Sequence, residues 1–337
     1  MMLELHDWLG GVMLVVLAIY AVTGGADFGG GVWDLLATGP RAKDQRRLIE
    51  QALAPVWEAN HVWLIFVVVV LFSAFPPAFA AISIALYTPL SLVLLGVVLR
   101  GAGFVFRQYG HGSEEAGLRW GRVFAVASII TPLFLGVTLA AVSGGDLRLS
   151  SQGEALAASD AWQRPFALLS GIFVVAMFAF LAAVYLSVEA GSSALAQDFR
   201  RRAFISGIAV GVLSLAVLMG ARVSSPHFEA ALLGAWWSRA VQAAVGALAV
   251  AALIAIRLRQ DLWARRLAIV QVIGIVAGWG LAQYPFLIAP SLTLAQEAAP
   301  KVVLQWILPT VFAGTIVLVP CLIWLMRLFK HHPPHSH

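Results

Sequence analysis

The feature that most constrains this chain is a succession of about nine apolar segments, each near 20 residues long and joined by short polar connections. They lie near 9–33, 55–75, 79–104, 122–142, 165–188, 204–221, 236–256, 266–288 and 303–326. A helix of about 20 apolar residues crosses a hydrocarbon core of roughly 30 Å. No water is available there to bond exposed peptide groups, so segments of this kind must be helical. The expected fold is an all-α polytopic membrane protein with about nine transmembrane helices. Residues 1–330 form one transmembrane helical domain and 331–337 a polar, His-rich tail. The longest polar interruption is Gly144–Arg164, and no stretch is set aside for a separate soluble domain.

Composition excludes the competing classes. Hydrophobic residues make up 61% of the chain and charged residues 12%, about half the charge of a soluble domain. A pI of 9.8 would suit a nucleic-acid binder. Here, however, the basic residues lie between apolar spans rather than in a patch, so the expected environment is a lipid bilayer and no nucleic acid is expected as a partner. Glu4 and Asp7 stand where a secretory leader carries Lys or Arg, so a cleaved leader is not expected. Cys321 is the only cysteine, which excludes an intrachain disulfide or a Cys-based metal site.

Basic residues orient the bundle. Alternate connections hold Arg41, Lys43, Arg46 and Arg47; Arg100, Arg107, Arg119 and Arg122; Arg200, Arg201 and Arg202; Arg257, Arg259, Arg265 and Arg266; and finally Arg327 and Lys330. The other side has only Arg148, Arg164, Arg222, Arg239 and Lys301. The positive-inside rule puts the first set in the cytoplasm, with the N-terminus outside and the C-terminus inside.

That orientation gives the intramembrane charges an address. Asp27 lies in the second half of the first span, Glu58 near the start of the second, and Arg100 closes the third, so all three are expected in the cytoplasmic half. Ionisable groups at such depth cost several kcal/mol unless paired or hydrated. One reading is a structural ion pair of Glu58 or Asp27 with Arg100. The other is a proton path, in which a buried carboxyl loads and releases protons. Trp57 and Trp63 flank Glu58 and could shield it from lipid.

His61 is the one histidine clearly inside a span, three residues after Glu58 and on the same helix face. Haem ligation and hydrogen-bonded packing are both open to it. Two b-type haems would need several well-placed His or Met ligands, and no convincing set is present, so no metal site is expected. Gly24, Gly25, Gly29, Gly30 and Gly31 allow close helix approach. Pro76, Pro77, Pro285, Pro290 and Pro300 mark turns or kinks at the outer face.

Pro55-Val56-Trp57-Glu58-Ala59-Asn60-His61-Val62-Trp63-Leu64-Ile65, continued through Leu71-Phe72-Ser73-Ala74-Phe75-Pro76, resembles the signature of cytochrome bd oxidase subunit II. Arg100-Gly101-Ala102-Gly103-Phe104-Val105-Phe106-Arg107 and Tyr284-Pro285-Phe286-Leu287-Ile288-Ala289-Pro290-Ser291 resemble two further blocks of that family, in family order. The resemblance covers essentially the whole chain.

The resemblance implies a fold of two four-helix bundles plus one peripheral helix. It also implies a haem-free subunit of a quinol oxidase in the bacterial cytoplasmic membrane. Its partner would be a haem-bearing subunit I, with two b-type haems and one d-type haem, that oxidises quinol and reduces O2 to water. A small single-helix subunit is a further partner it admits, and a structural quinone a further ligand. Glu58 matches an acid on the family's cytoplasmic proton path and Asp27 an acid of its first-span motif, with Arg100, Trp57, Asn60 and His61 as surrounding groups. Three positions depart from the pattern. Gly24 stands where many relatives have a second acid, Val105 where an acid is common, and Ala295-Gln296-Glu297 where a Trp-Asp pair is common. Against these stand a polytopic transporter with Asp27, Glu58 and Arg100 as its coupling site, and a pure assembly scaffold in which Glu58 is a buried structural acid.

Overall fold

The computed structural model describes residues 4–53, 57–109, 114–147, 159–191 and 193–331. The chain runs through α1 (Leu5–Leu35), α2 (Ala42–Leu53), α3 (Trp57–Ala74), α4 (Pro76–Ala85), α5 (Tyr87–Tyr109), α6 (Glu114–Ser143) and α7 (Pro165–Glu189). It continues through α8 (Ala194–Ser224), α9 (Pro226–Gly234), α10 (Trp236–Arg257), α11 (Asp261–Gln283), strands β1 (Phe286–Ile288) and β2 (Leu292–Thr293), α12 (Leu294–Glu297) and α13 (Lys301–His331). Among the described residues eight helices are long and apolar enough to span a bilayer, and α2 with α3, bent by 55° to one another, give a ninth if the pair is counted as one span. Pro55, His111 and the tail beyond His331 lie outside the described residues.

Local chemistry explains where the helices depart from the expected spans. The 79–104 segment is divided by Leu86 into α4 and α5. Pro76 and Pro77 open α4 in its first turn, where the missing N–H costs nothing. The α2 helix is amphipathic. It buries Gln45, Ile49 and Leu53 at four-residue spacing and turns Arg47 and Lys43 outward. Its 12 residues are too few to register as a span.

The spanning helices form two four-helix groups. The first comprises α1, α3, α5 with α4, and α6; the second comprises α7, α8, α10 and α11. The seam between them is made by α1 and α6 against α7, and by α1 against α11. At Gly29 a Cβ would overlap the carbonyl oxygen of Phe178 on α7, so only glycine permits this approach. One turn further along the same seam, Trp33 donates from Nε1 to the carbonyl of Ala179 at 2.7 Å. Helix α13 touches mainly α1 and α3 and buries almost none of its own surface. It is the peripheral ninth element.

The two ends of the bundle are closed differently. At the arginine-rich end Arg41 binds Asp198 through Nε and Nη2 (2.8 and 2.6 Å), and Arg200 binds Asp261 through the same pair of atoms (2.8 and 2.5 Å). Arg202 donates to Gln45 and to the carbonyl of Leu36, which ties α8 to α1 and α2. At the opposite end hydrogen bonds to backbone carbonyls do the joining. Ala289 N–H donates to Val142 O (2.9 Å), Ala299 N–H to Ala74 O (2.8 Å) and the Ser225 hydroxyl to Ser143 O (2.7 Å). The antiparallel β1–β2 hairpin sits here, with cis peptide bonds before Pro285 and Pro290. The prolines expected at turns are at turns.

Candidate functional site

One corner of the first helix group gathers several buried polar and charged side chains. Helix α1 supplies Tyr20, Asp27 and Phe28; α3 supplies Asn60 and His61; α5 supplies Arg100; and α6 supplies Phe124 and Ser128. Asp27 is 4% exposed and Arg100 0%. Asn60 donates from Nδ2 to Asp27 Oδ2 at 2.5 Å. Arg100 donates from Nε to Ser128 Oγ at 3.2 Å, and the Ser128 hydroxyl donates on to the carbonyl of Phe124 at 2.7 Å. Gly31 makes this possible, since a Cβ there would collide with the Ser128 side chain.

The Arg100 guanidinium lies over the rings of Phe28 (4.8 Å to the centroid) and Phe124 (5.2 Å). Such contacts are worth up to about 2 kcal/mol each when water is excluded, which offsets part of the cost of burying the charge. Its Nη1 is 3.4 Å from His61 Nε2. Arginine can only donate, so Nε2 accepts and the ring proton of a neutral His61 resides on Nδ1. Three atoms here are buried without a hydrogen-bond partner: Arg100 Nη2, His61 Nδ1 and the Tyr20 hydroxyl. Each unpaired polar atom costs roughly 1–3 kcal/mol. The cluster is therefore costly to maintain.

The ion pair of Glu58 or Asp27 with Arg100, one of the two readings of these charges, is not formed. Among the described residues no carboxylate is in contact with Arg100; Asn60 takes the Asp27 carboxylate, and aromatic rings take the guanidinium. Glu58 sits in the first turn of α3 with its side chain exposed on this chain's surface, outside the cluster. That turn follows the bend from α2, and the same helix directs Asn60 and Trp63 inward. Trp63 thus packs in the main core, and the Trp57 side chain lies outside the described residues. Asp27, Asn60, His61 and Arg100 are brought together; Glu58 stands at the rim.

A haem does not fit at His61. Its Nε2 lone pair already accepts from Arg100, and the rings of Phe28 and Tyr20 lie 5.8 and 6.3 Å from its own. Among the described residues no three His, Cys, Asp or Glu side chains converge as metal ligands would.

A second constellation was not singled out from the sequence. Asp34, 3% exposed, accepts from Arg107 Nη1 at 3.0 Å, and Arg107 Nη2 is 3.7 Å from Glu50 on α2. The signal was available as spacing. Tyr20, Asp27 and Asp34 are seven apart on α1, and Arg100 and Arg107 are seven apart on α5. Seven residues are two helical turns, so each set lies on one stripe. Far from both, Glu297 on α12 is buried, which pushes its carboxyl above the usual carboxylate range.

Fold and site define a polytopic helical membrane protein that keeps an acid, an amide, an imidazole and a guanidinium together inside one of two packed helix groups. The chain belongs to the cytochrome bd terminal oxidase subunit II family, whose model matches residues 5–329. It is 24% identical to the putative cytochrome bd menaquinol oxidase subunit II of Bacillus subtilis (strain 168), over 92% of this chain and 91% of that one. It is 32% identical to the cytochrome bd-I ubiquinol oxidase subunit 2 of Escherichia coli (strain K12), over 52% of this chain and 46% of that one. Its fold is that of a chain of the bd oxidase from Geobacillus thermodenitrificans, with a TM-score of 0.80 at 22% identity, covering 97% of this chain and 99% of that one. The chain is thus a multi-pass membrane subunit of a terminal quinol oxidase family, and the transporter reading is left with no observation in its favour.

Proposed function

We propose that this chain is the haem-free partner of a haem-bearing subunit I, supports assembly of that subunit, and carries protons toward its oxygen-reducing centre from the cytoplasm. The observation that carries the reading is the buried Asp27–Asn60–His61–Arg100 cluster, kept at a cost in stability inside a chain of this family. The arginine-rich end faces the cytoplasm with the N-terminus outside, as the distribution of basic residues requires. Protons are collected at the rim, where exposed Glu58 opens α3 on the same helix as Asn60, and pass to Asp27 within the bundle. Glu58 collects protons best from the surface, and Asp27 holds them in a site with a fixed hydrogen-bond donor.

Haems in subunit I would supply the electron transfer and oxygen chemistry. This chain contributes only proton movement and shape. If quinol releases its protons outside while oxygen reduction draws protons from inside, each charge moved across the full potential stores about 2.3 kcal/mol per 100 mV. No separate pump is needed.

The test is Glu58→Gln in the assembled oxidase. The expected result is a complex with a normal haem spectrum that loses most of its quinol-driven oxygen consumption. Full turnover in a fully assembled variant would remove Glu58 from the path.

A further inference from the structure

Tyr20 belongs to no role described so far, yet it is built into the cluster. It is 2% exposed, and its hydroxyl has no hydrogen-bond partner. It lies two turns before Asp27 on the same stripe of α1, about 10 Å further into the membrane from the arginine-rich end. Its ring packs against Phe28 (6.4 Å) and His61 (6.3 Å). Room for that ring is left one turn away by Gly24, where a Cβ would press on Tyr20.

The three unpartnered atoms of this corner have complementary capacities. His61 Nδ1–H and Arg100 Nη2 can only donate in this arrangement, while the Tyr20 hydroxyl can donate and accept. Water is the small group that accepts from two donors and still donates onward, and buried water characteristically makes about three such bonds. We infer that Tyr20 is the inward continuation of the proton route, its hydroxyl linked to Asp27 through internal water bound to His61 Nδ1 and Arg100 Nη2. In each passage the phenolic oxygen accepts a proton from the water on the Asp27 side and releases its own proton to a further internal water on its inner side. The O–H bond lost is replaced by the one formed, and no electron is transferred. The fixed charge of Arg100 and the neutral tautomer of His61 hold the water in place. Tyr20 is a positioning and relay residue and touches no reacting atom of quinol or oxygen.

This inference rests on the proton-uptake reading, so the two are tested side by side in the assembled oxidase with Tyr20→Phe, Tyr20→Leu and Glu58→Gln. Tyr20→Phe removes one oxygen and leaves the ring packed. The expected result is an unchanged haem spectrum, about a tenfold loss of turnover, equivalent to one relay hydrogen bond of about 1.4 kcal/mol, and a larger fall of turnover in D2O than the unsubstituted complex shows. Full turnover with an unchanged D2O effect in Tyr20→Phe overturns the relay. So does a loss in Tyr20→Phe that matches Tyr20→Leu while the D2O effect stays constant, since packing then explains both. If Glu58→Gln is impaired while Tyr20→Phe is normal, the relay falls and proton uptake stands. If both are normal, the uptake reading falls with it.

Discussion

Helices α1 and α5 repeat one pattern at two depths, and the structure treats the two copies oppositely. Near the arginine-rich end Asp34 and Arg107 are bonded directly at 3.0 Å, with Glu50 alongside. Two turns deeper Asp27 and Arg100 have the same spacing in sequence but do not touch, because Asn60 occupies the carboxylate and Phe28 and Phe124 sandwich the guanidinium. A closed ion pair near the surface fixes α5 to α1 and ties up both charges. An acid held by a neutral amide can still change its proton, since its amide partner stays bound to the neutral carboxyl. Under the proposed function, the outer tier serves stability and the deeper tier serves proton movement.

Breaking the outer tier should give the largest effect on the folded complex. Arg107→Met leaves Asp34 buried and unpaired, at a cost of about 3–5 kcal/mol. The expected outcome is little or no assembled oxidase, measured as haem per membrane protein. Adding Asp34→Asn removes the stranded charge and should restore most of the yield and the turnover. Recovery of yield without turnover would move Asp34 into the proton path and erase the distinction between the tiers.

Asp27→Asn should act in the opposite sense. The new amide keeps the size of the carboxyl and can still accept from Asn60 through its oxygen, so assembly and thermal stability should change by no more than about 1 kcal/mol. Turnover should fall at least tenfold, since an amide cannot load a proton. The measurement is oxygen consumption normalised to haem, beside the melting temperature of the haem band. A large loss of stability with normal specific turnover would make Asp27 structural, like Asp34.

Much of this arrangement was legible before any coordinates. Lipid forces helices of one length and sorts arginine to one side, so the spans, the two faces and the depth of Asp27 and Arg100 follow from order along the chain. Helix α2 was hidden because 12 residues with alternating faces do not stand out as apolar. Asp34 was overlooked because beside Trp33 and Leu35 it resembles an ordinary span end, although its seven-residue interval from Asp27 marks the shared stripe. An ion pair of Glu58 or Asp27 with Arg100 was one of the two readings that the sequence left open. It failed because the aromatic side chains Phe28 and Phe124, which read as packing residues, compete for the guanidinium. Glu58 was expected inside because its neighbours are apolar, but composition does not reveal which way the first turn of α3 faces. Asn60 is inward and Glu58, two positions earlier, is outward.

The smallest effect should come from the second helix group, where the described residues of α7, α8, α10 and α11 bury no charged side chain. Its nearest counterpart to the cluster is Gln271 on α11, 4% exposed with an unpartnered Oε1. If unpaired polar atoms were a general tolerance of this bundle, replacing Tyr20 and replacing Gln271 would be equivalent. If they are kept only where protons move, Gln271→Leu should leave turnover within about twofold and raise stability by up to about 1 kcal/mol, as removal of an unpaired buried amide does. Melting of the haem band and oxygen consumption read both quantities from one preparation. A stabilised, fully active Gln271→Leu beside an impaired Tyr20→Phe would assign the cost of burial in the first group to function. A turnover loss at Gln271 instead would extend the polar route across the seam through α11, and the first helix group would no longer be the sole carrier.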